Sequence, residues 1–414
     1  MQVQQADLKV KNNSGFQNVL TYLFAFFLIL SVNSVYYRTS HGQYIITAFI
    51  LILAVIMSFQ SISKMLKESM SIKNLLISYF AYIIMTSILF VAQLYKPFGL
   101  SVTTALLILV FPLLILPYVY CEKKSGYTAF FSKFKNIVLF LSVLSLLFWF
   151  ISMLGKQPNM TKIVMWGGVH PVNGFWGLDF IGQASKIDFL GFKFVRNTGL
   201  FVEGPMYSFI LSLALIIHLF VEKGTKIFDW QNVLLVITIL STASTTGLIV
   251  LLFAVFIRIN RRLKGWWKVL LFALIPILIY MVIVILKMKM NNASSDDMTS
   301  SFNVRMNDIY AGFMAWKDAP FWGNGLYNPG AIKSYMDPVR LFWWGNNGFS
   351  SGVMEMLALG GIYYFIGWLL LPLIRFSWKN MNHFYIAILF LIIMFVTLSE
   401  STFLYIFIIL YFLI

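Results

Sequence analysis

Runs of about twenty apolar residues recur along the chain, and they constrain its fold more than any other feature. A run of that length can cross the hydrocarbon core of a bilayer as one helix. Of the 414 residues, 60% are hydrophobic and only 11% are charged, whereas soluble domains usually carry about 25% charged residues. The chain is therefore predicted to be an all-α polytopic membrane protein with about 11–12 transmembrane segments.

The apolar runs give the approximate positions of these segments. Most of them read as single spans, which lie at residues 16–32, 44–60, 74–94, 100–120, 136–154, 204–221, 268–286, 351–372, 384–398 and 401–414.

The run 232–257 is different, because it is long for one helix and the polar stretch Ser241–Gly247 interrupts it. It could form one tilted span or a broken, re-entrant pair. A dense basic cluster follows it, beginning at Arg258. Since Lys and Arg collect in cytoplasmic loops, the basic cluster favours a pair that returns to the same side.

With the broken pair, both termini lie on the inner, cytoplasmic side of the membrane. The formal net charge of +16 is then explained by this orientation and by contact with anionic membrane lipids, without a nucleic-acid partner.

Two outer connections are long, and we treat the chain as a single integral membrane domain, 1–414, that carries them. The first is 155–203 and the second is 287–350, whereas the connections 33–43 and 95–99 are short. Extracytoplasmic chemistry is expected in the two long loops, because they hold most of the outer charged and tryptophan side chains.

The stretch Val195–Tyr207 holds the first group of candidate site residues. Arg196 and Glu203 precede Pro205, which suits the first position of a helix. Each charge has a structural alternative: Glu203 could stabilise the helix start, and Arg196 could extend to lipid headgroups. Together at a junction between a loop and a span, they favour an anionic substrate group held by Arg196 near the helix N-terminus.

The second loop opens with a predicted short helix around Arg305 and Asp308, and a Gly-rich turn follows at 323–325. A solvated helical ion pair between these two side chains is the alternative to a functional role. At the end of the loop, Glu355 lies one turn into the next span. It could act as a base or accept a hydrogen bond from a sugar hydroxyl. Alternatively, it could only interact favourably with the helix dipole.

His170 is a further candidate in the first loop, because its ordinary pKa suits proton transfer near neutral pH. Cys121 is the only cysteine, so an intrachain disulfide is excluded. No metal-ligand spacing is found, and neither a metal nor another cofactor is expected.

These residues resemble the bacterial O-antigen and capsule polysaccharide polymerases (Wzy-type), which are related to the O-antigen ligases. The family signature Arg-x-x-Gly-x-Phe-x-Glu-Pro is matched, with one glycine inserted before the proline, by Arg196, Gly199, Phe201, Glu203 and Pro205. Further similarity to the family's Ser-rich segment, its Gly-x-Gly turn and the block that leaves its large loop lies at 241–247, 323–325 and 347–361.

Two departures favour a polymerase over a ligase. Ligases usually place a histidine just before an Asn-x-aromatic step, where this chain has Gly345 and Asn346. The ligases' arginine in the Ser-rich segment is replaced by Thr245-Thr246. Both departures leave the general base unassigned.

The resemblance implies a metal-independent C-class glycosyltransferase. It would transfer a glycan from an undecaprenyl-diphosphate-linked donor to a lipid-linked oligosaccharide repeat unit on the outer face of the membrane, in O-antigen, capsule or exopolysaccharide synthesis. The partners implied are these lipid-linked oligosaccharides, with a chain-length regulator and a flippase as further candidates.

The residues expected to carry this reaction come from both loops. Arg196 and Arg305 are predicted to bind the donor diphosphate, and Glu203 to position Arg196 or the acceptor. The predicted substrate-binding residues are Arg340, Glu355, Asn347, His170, Trp316 and Trp344. The alternatives are an O-antigen ligase and, from another class, a transporter of lipid-linked oligosaccharide or polysaccharide, which the broken segment would suit.

Overall fold

The computed structural model describes residues 15–125, 129–166, 168–182, 187–189, 192–222, 224–225, 228–262, 265, 301–343, 347–397 and 401–414. The predicted span 268–286 lies outside the described residues. Within them the helices are α1 Gly15–Leu30, α2 Gly42–Lys67, α3 Ile72–Leu94, α4 Val102–Lys124, α5 Ala129–Met153, α6 Gly204–Val221, α7 Trp230–Ser241, α8 Thr245–Arg262, α9 Ser301–Asp318, α10 Pro329–Lys333, α11 Gly352–Ser377, α12 Met381–Val396 and α13 Phe403–Leu413.

Six of these helices, α2 to α6 and α11, are long and apolar enough to cross a membrane. The shorter apolar helices α1, α7, α12 and α13 pack with them around one hydrophobic core. The prediction of an all-α polytopic membrane protein is confirmed.

Polar contacts between helix ends show that many of these ends lie on one of two opposite faces of the helix bundle. On one face, Lys64 at the end of α2 lies 3.4 Å from the Ser125 hydroxyl that follows α4. On the same face, Lys135 near the start of α5 forms a 2.7 Å ion pair with Glu222 at the end of α6. We call this end the basic face and the opposite end, where α6 begins, the site face.

The helices α7 and α8 form the broken pair that the loop charges favoured. Asp229, directly before α7, lies 2.8 Å from His218 at the basic face. The chain turns at Ala243, whose φ is +48°, and α8 runs back until the Arg258 guanidinium donates to the Thr225 carbonyl at 2.8 Å. Both ends of the pair therefore lie at the basic face, and its turn lies at the site face.

The loop 155–203 contains β-strands, which the sequence reading missed. Strands β1 Met160–Met165, β2 Val169–Phe175 and β3 Asp179–Ile181 form an antiparallel sheet in that order. Strands β4 Ile187–Phe189 and β5 Phe192–Phe194 form a separate hairpin.

The Gly-rich turn 323–325 packs into a kink of α11. Gly361 has a φ of +70° inside the helix, which frees backbone groups on either side of it. The amides of Asn324 and Gly325 donate to the carbonyls of Ala358 and Leu359 at 3.0 and 3.1 Å. These bonds fix the segment after α9 against α11. The Gly-rich turn 323–325 therefore packs directly against the glycine pair 360–361. The helix α9 is itself longer than the short helix predicted around Arg305.

Candidate active site

The short connection after α1 pairs with the stretch before α6, and this pairing builds the site. Val35 N–H donates to the Leu200 carbonyl at 2.9 Å, and Val202 N–H donates to the Asn33 carbonyl at 3.2 Å. The end of β1 joins them, because Met165 N–H donates to the Arg38 carbonyl at 2.8 Å. Side chains from three distant segments consequently meet at the site face.

Glu203 stands at the N-cap of α6, with proline in the first turn as predicted. Its side chain makes no capping hydrogen bond and instead accepts a hydrogen bond from the Trp166 indole N–H. The guanidinium of Arg38 lies 4.6 Å from the centre of the Trp166 ring, within the range of a cation–π contact. The Glu203 carboxylate therefore stands at the positive end of the helix and also makes a contact outside it.

Three arginines share the electrostatic field of Glu203. Burial raises the pKa of the Glu203 carboxyl, and the Trp166 hydrogen bond and the side chains of Arg196, Arg305 and His170 oppose that rise. Burial lowers the pKa of Arg38, and Glu203 is among the groups that oppose it. We call Arg38, Arg196 and Arg305 the arginine cluster, and its net charge suits an anion better than a cation.

The position of Arg196 is set by its neighbour Asn197. The Asn197 amide N–H donates to the Ser241 carbonyl at 3.0 Å, and its side chain donates to the hydroxyls of Ser145 and Ser241 at 3.2 and 3.0 Å. Gly199 then turns the chain with a φ of +54°, and a Cβ there would lie 3.0 Å from the Tyr207 ring. The backbone around Arg196 is therefore held against α5, α6 and the turn of the broken pair.

Arg305 reaches the site from the second loop. Its guanidinium lies 3.4 Å from the Thr246 hydroxyl, which is buried in the first turn of α8. Burial lowers the pKa of Arg305, and the charges of Asp308 and Glu203 oppose that shift. The two long loops predicted to form one site are thus brought together.

Asp308 does not form the solvated helical pair that was the alternative for Arg305. It forms a 2.6 Å ion pair with Arg340, and the two side chains are 0% and 1% exposed. Ser350 also donates to the Asp308 carboxylate at 2.5 Å. Arg340 was predicted to bind substrate. The structure places it instead in a buried ion pair that connects α9 to the end of the second loop.

Glu355 lies in the first turn of α11, beside the cluster. The Glu355 carboxylate opposes the lowering of the Arg38 pKa by burial. Both side chains line a cavity of about 270 Å³. Most of the other polar side chains on its wall carry a hydroxyl or an amide, namely Tyr37, Gln43, Thr47, Thr103, Thr104, Tyr327 and Ser401. Such groups suit the hydroxyls of a sugar.

The remaining predicted site residues do not all lie near the arginine cluster. His170 lies on β2, close enough to Glu203 to influence the pKa of that carboxyl. Asn347 is exposed near the end of the second loop. The Trp316 indole donates to the Pro320 carbonyl at 3.0 Å, three turns along α9 from Arg305, which is about 16 Å away along the helix axis. Trp344 lies outside the described residues.

Arg38 is the site residue that the sequence reading missed. A signal for it exists, because Arg38 is the one Lys, Arg, Asp or Glu in the connection 33–43. A single charged residue between two apolar spans indicates that Arg38 lies at the site face. Its approach to Glu203 was not predictable, because it depends on the pairing of distant segments.

The site has the composition of an anion-binding centre. Its cations are guanidiniums, which present paired N–H donors to a phosphate or carboxylate. Among the described residues, no three His, Cys, Asp or Glu side chains come together as metal ligands.

The fold and this site together define a multi-pass membrane protein with a charged centre at one face. Residues 231–372 match the family model Wzy_C, whose description is O-antigen ligase. This match confirms the resemblance to the O-antigen ligase and Wzy-type polymerase family, and it supports an enzyme that transfers glycosyl groups. No curated protein matches the chain.

The match divides the site. Thr246, Arg305 and Glu355 lie inside the matched residues, whereas Arg38, Arg196 and Glu203 lie before them. The family match therefore covers only the segments that carry one side of the centre.

Proposed function

We propose that this protein is a polysaccharide polymerase. It transfers a glycan from undecaprenyl diphosphate to a lipid-linked repeat unit, and the site face lies on the outer side of the bacterial cytoplasmic membrane, with both termini inside. The observation that carries the proposal is the convergence of Arg38, Arg196 and Arg305 around Glu203 in a chain with the O-antigen ligase match.

The arginine cluster is suited to the donor's leaving group. A diphosphate gains negative charge at its bridging oxygen as the sugar departs, and preorganised cations stabilise that charge in the transition state. Arg196 and Arg305 would hold the phosphate oxygens, and Arg38 adds a third guanidinium. Glu203 positions the cluster by balancing part of its charge, so that the guanidiniums stay close before the donor binds.

The transfer step uses the second carboxylate. The acceptor hydroxyl oxygen attacks the anomeric carbon of the donor and forms the new glycosidic bond. The bond from that carbon to the diphosphate oxygen breaks, and its electron pair leaves with undecaprenyl diphosphate. Glu355, on the wall of the 270 Å³ cavity, takes the proton of the acceptor hydroxyl as general base.

Two sequence features favour polymerase over ligase. Asn346 stands where ligases usually carry a histidine, and Thr245-Thr246 stands where they carry an arginine. Deletion of the gene would separate the two functions. Loss of a polymerase leaves single repeat units, whereas loss of a ligase leaves finished polymer on undecaprenyl diphosphate.

The purified protein gives the direct test. In detergent there are no two compartments, so a pure transporter cannot produce a chemical change. We expect the protein to convert a lipid-linked repeat unit into a ladder of longer lipid-linked glycans, resolved on a gel. A reaction mixture that keeps only single units would contradict the proposal.

Replacing Glu355 tests its part as the base. Glu355→Gln is expected to lower kcat by about a hundredfold or more, because a positioned general base contributes roughly that much. The KM for the donor should change little, since the diphosphate is held by the arginines. Glu355→Asp, which keeps a carboxylate, should recover part of the rate, and Leu106→Met serves as a conservative change on the apolar part of the same cavity wall. A normal rate in Glu355→Gln would remove it from the reaction.

A further inference from the structure

A second cavity, of about 400 Å³, lies at the basic face between α3 and the ends of α4 and α11. It is separate from the site already described, since that site lies at the opposite face. Four basic side chains line it: Lys123, Lys124, Arg375 and Lys379. They come from two distant parts of the chain, and the fold brings them to one opening.

No Asp or Glu side chain lines the cavity. In the part of the chain that the structure describes, none of the four basic side chains forms an ion pair with an Asp or Glu. Lys123 donates instead to the Tyr411 carbonyl at 2.6 Å, and Arg375 to the backbone oxygen of Ile414 at 3.3 Å. Like charges so gathered repel each other, and an anion in the cavity would relieve that repulsion.

The opposite wall of the cavity belongs to α3 and is mixed, with Asn74 and Ser78 as its polar residues. Ile77 and Ala81 line the cavity, and the exposed side chains of Phe80 and Ile84 continue the same side of the helix, because residues three and four apart are neighbours on a helix surface. Of the six helices long enough to cross a membrane, α3 is the least buried. A cationic cavity thus opens onto an apolar stripe that faces lipid.

We propose that this cavity binds the phosphate of an anionic phospholipid from the leaflet at the basic face, with an acyl chain along the exposed stripe of α3. Basic pockets between membrane helices attract such headgroups. The stripe selects a lipid over a soluble phosphate, since only a lipid offers a chain to cover Ile77, Phe80 and Ile84.

The test compares two charge-matched variants of the full chain, purified in detergent and titrated with phosphatidylglycerol under native mass spectrometry. Arg375→Gln with Lys379→Gln removes two exposed cations from the cavity. Lys67→Gln with Lys73→Gln removes two exposed cations of the basic face that do not line it. We expect the first pair to weaken phosphatidylglycerol binding by about tenfold or more and the second pair by much less.

Three further arms of this experiment complete the test. Ala81→Trp keeps all four charges but fills the mouth of the cavity, and it should also weaken binding. Phosphatidylcholine should bind much more weakly than phosphatidylglycerol. Inorganic phosphate at the same concentration should not displace the lipid. Equal loss in both double variants, equal binding of the two lipids, or displacement by inorganic phosphate would overturn the proposal.

Discussion

Arg196→Ala and Arg305→Ala are each expected to reduce polymerisation by about a hundredfold or more, because removal of one preorganised donor to a developing negative charge has an effect of that size. Both guanidiniums lie in the field of Glu203 and are partly accessible at the site face. In cells the glycan ladder should collapse to short lengths on a gel, and in detergent the purified variants should leave single repeat units.

The matched substitutions make this result specific. Arg196→Lys and Arg305→Lys keep the charge but lose the paired N–H donors, so they should recover only part of the activity. Arg261→Ala, at the end of α8 on the basic face, removes an exposed arginine far from the cluster and should leave the ladder intact. An unchanged ladder in both Arg196→Ala and Arg305→Ala would show that these arginines do not hold the donor.

Arg340→Ala is expected to destabilise the protein by about 3–5 kcal/mol, since it leaves a buried carboxylate without its partner. Asp308 is 0% exposed, and Arg340 also donates to Asn307 at 3.2 Å. The measurement is the thermal unfolding midpoint in detergent, which should fall well below that of the unaltered protein.

A double replacement separates a structural role from substrate binding. Asp308→Leu with Arg340→Met removes both charges, and pairs of this kind often recover stability. We expect the double variant to unfold at a higher temperature than Arg340→Ala. If Arg340→Ala instead kept its unfolding midpoint and lost donor affinity, the side chain would contact substrate directly, as the sequence suggested.

The sequence predicted well those features that depend on local composition. Long apolar runs place the spans because an unpaired backbone group is costly in hydrocarbon. The broken pair at 232–257 followed from the position of Arg258 and its basic neighbours, and the hydrogen bond from Arg258 to Thr225 agrees with it. Pro205 marked the start of α6 because proline suits the first helical turn.

The sequence predicted poorly those features that depend on distant partners. Asp308 is three residues from Arg305, which suggested a helical pair, but its partner Arg340 is far along the chain. The strands of the first loop were missed because their residues alternate weakly between polar and apolar. Arg38 was missed because its connection to Glu203 runs through Trp166 and the pairing of Val35 with Leu200.

By itself, therefore, the sequence determined a multi-pass membrane protein that resembles the O-antigen polymerases and ligases, with two long loops that carry Arg196, Glu203 and Arg305. Hydropathy and charge distribution are properties of neighbouring residues, so one chain is enough to read them. Only the tertiary structure decided that Arg38 completes the arginine cluster, that Arg340 is closed in an ion pair, and that Glu355 faces a cavity. Those outcomes depend on which distant segments pack together, and local patterns do not specify that packing.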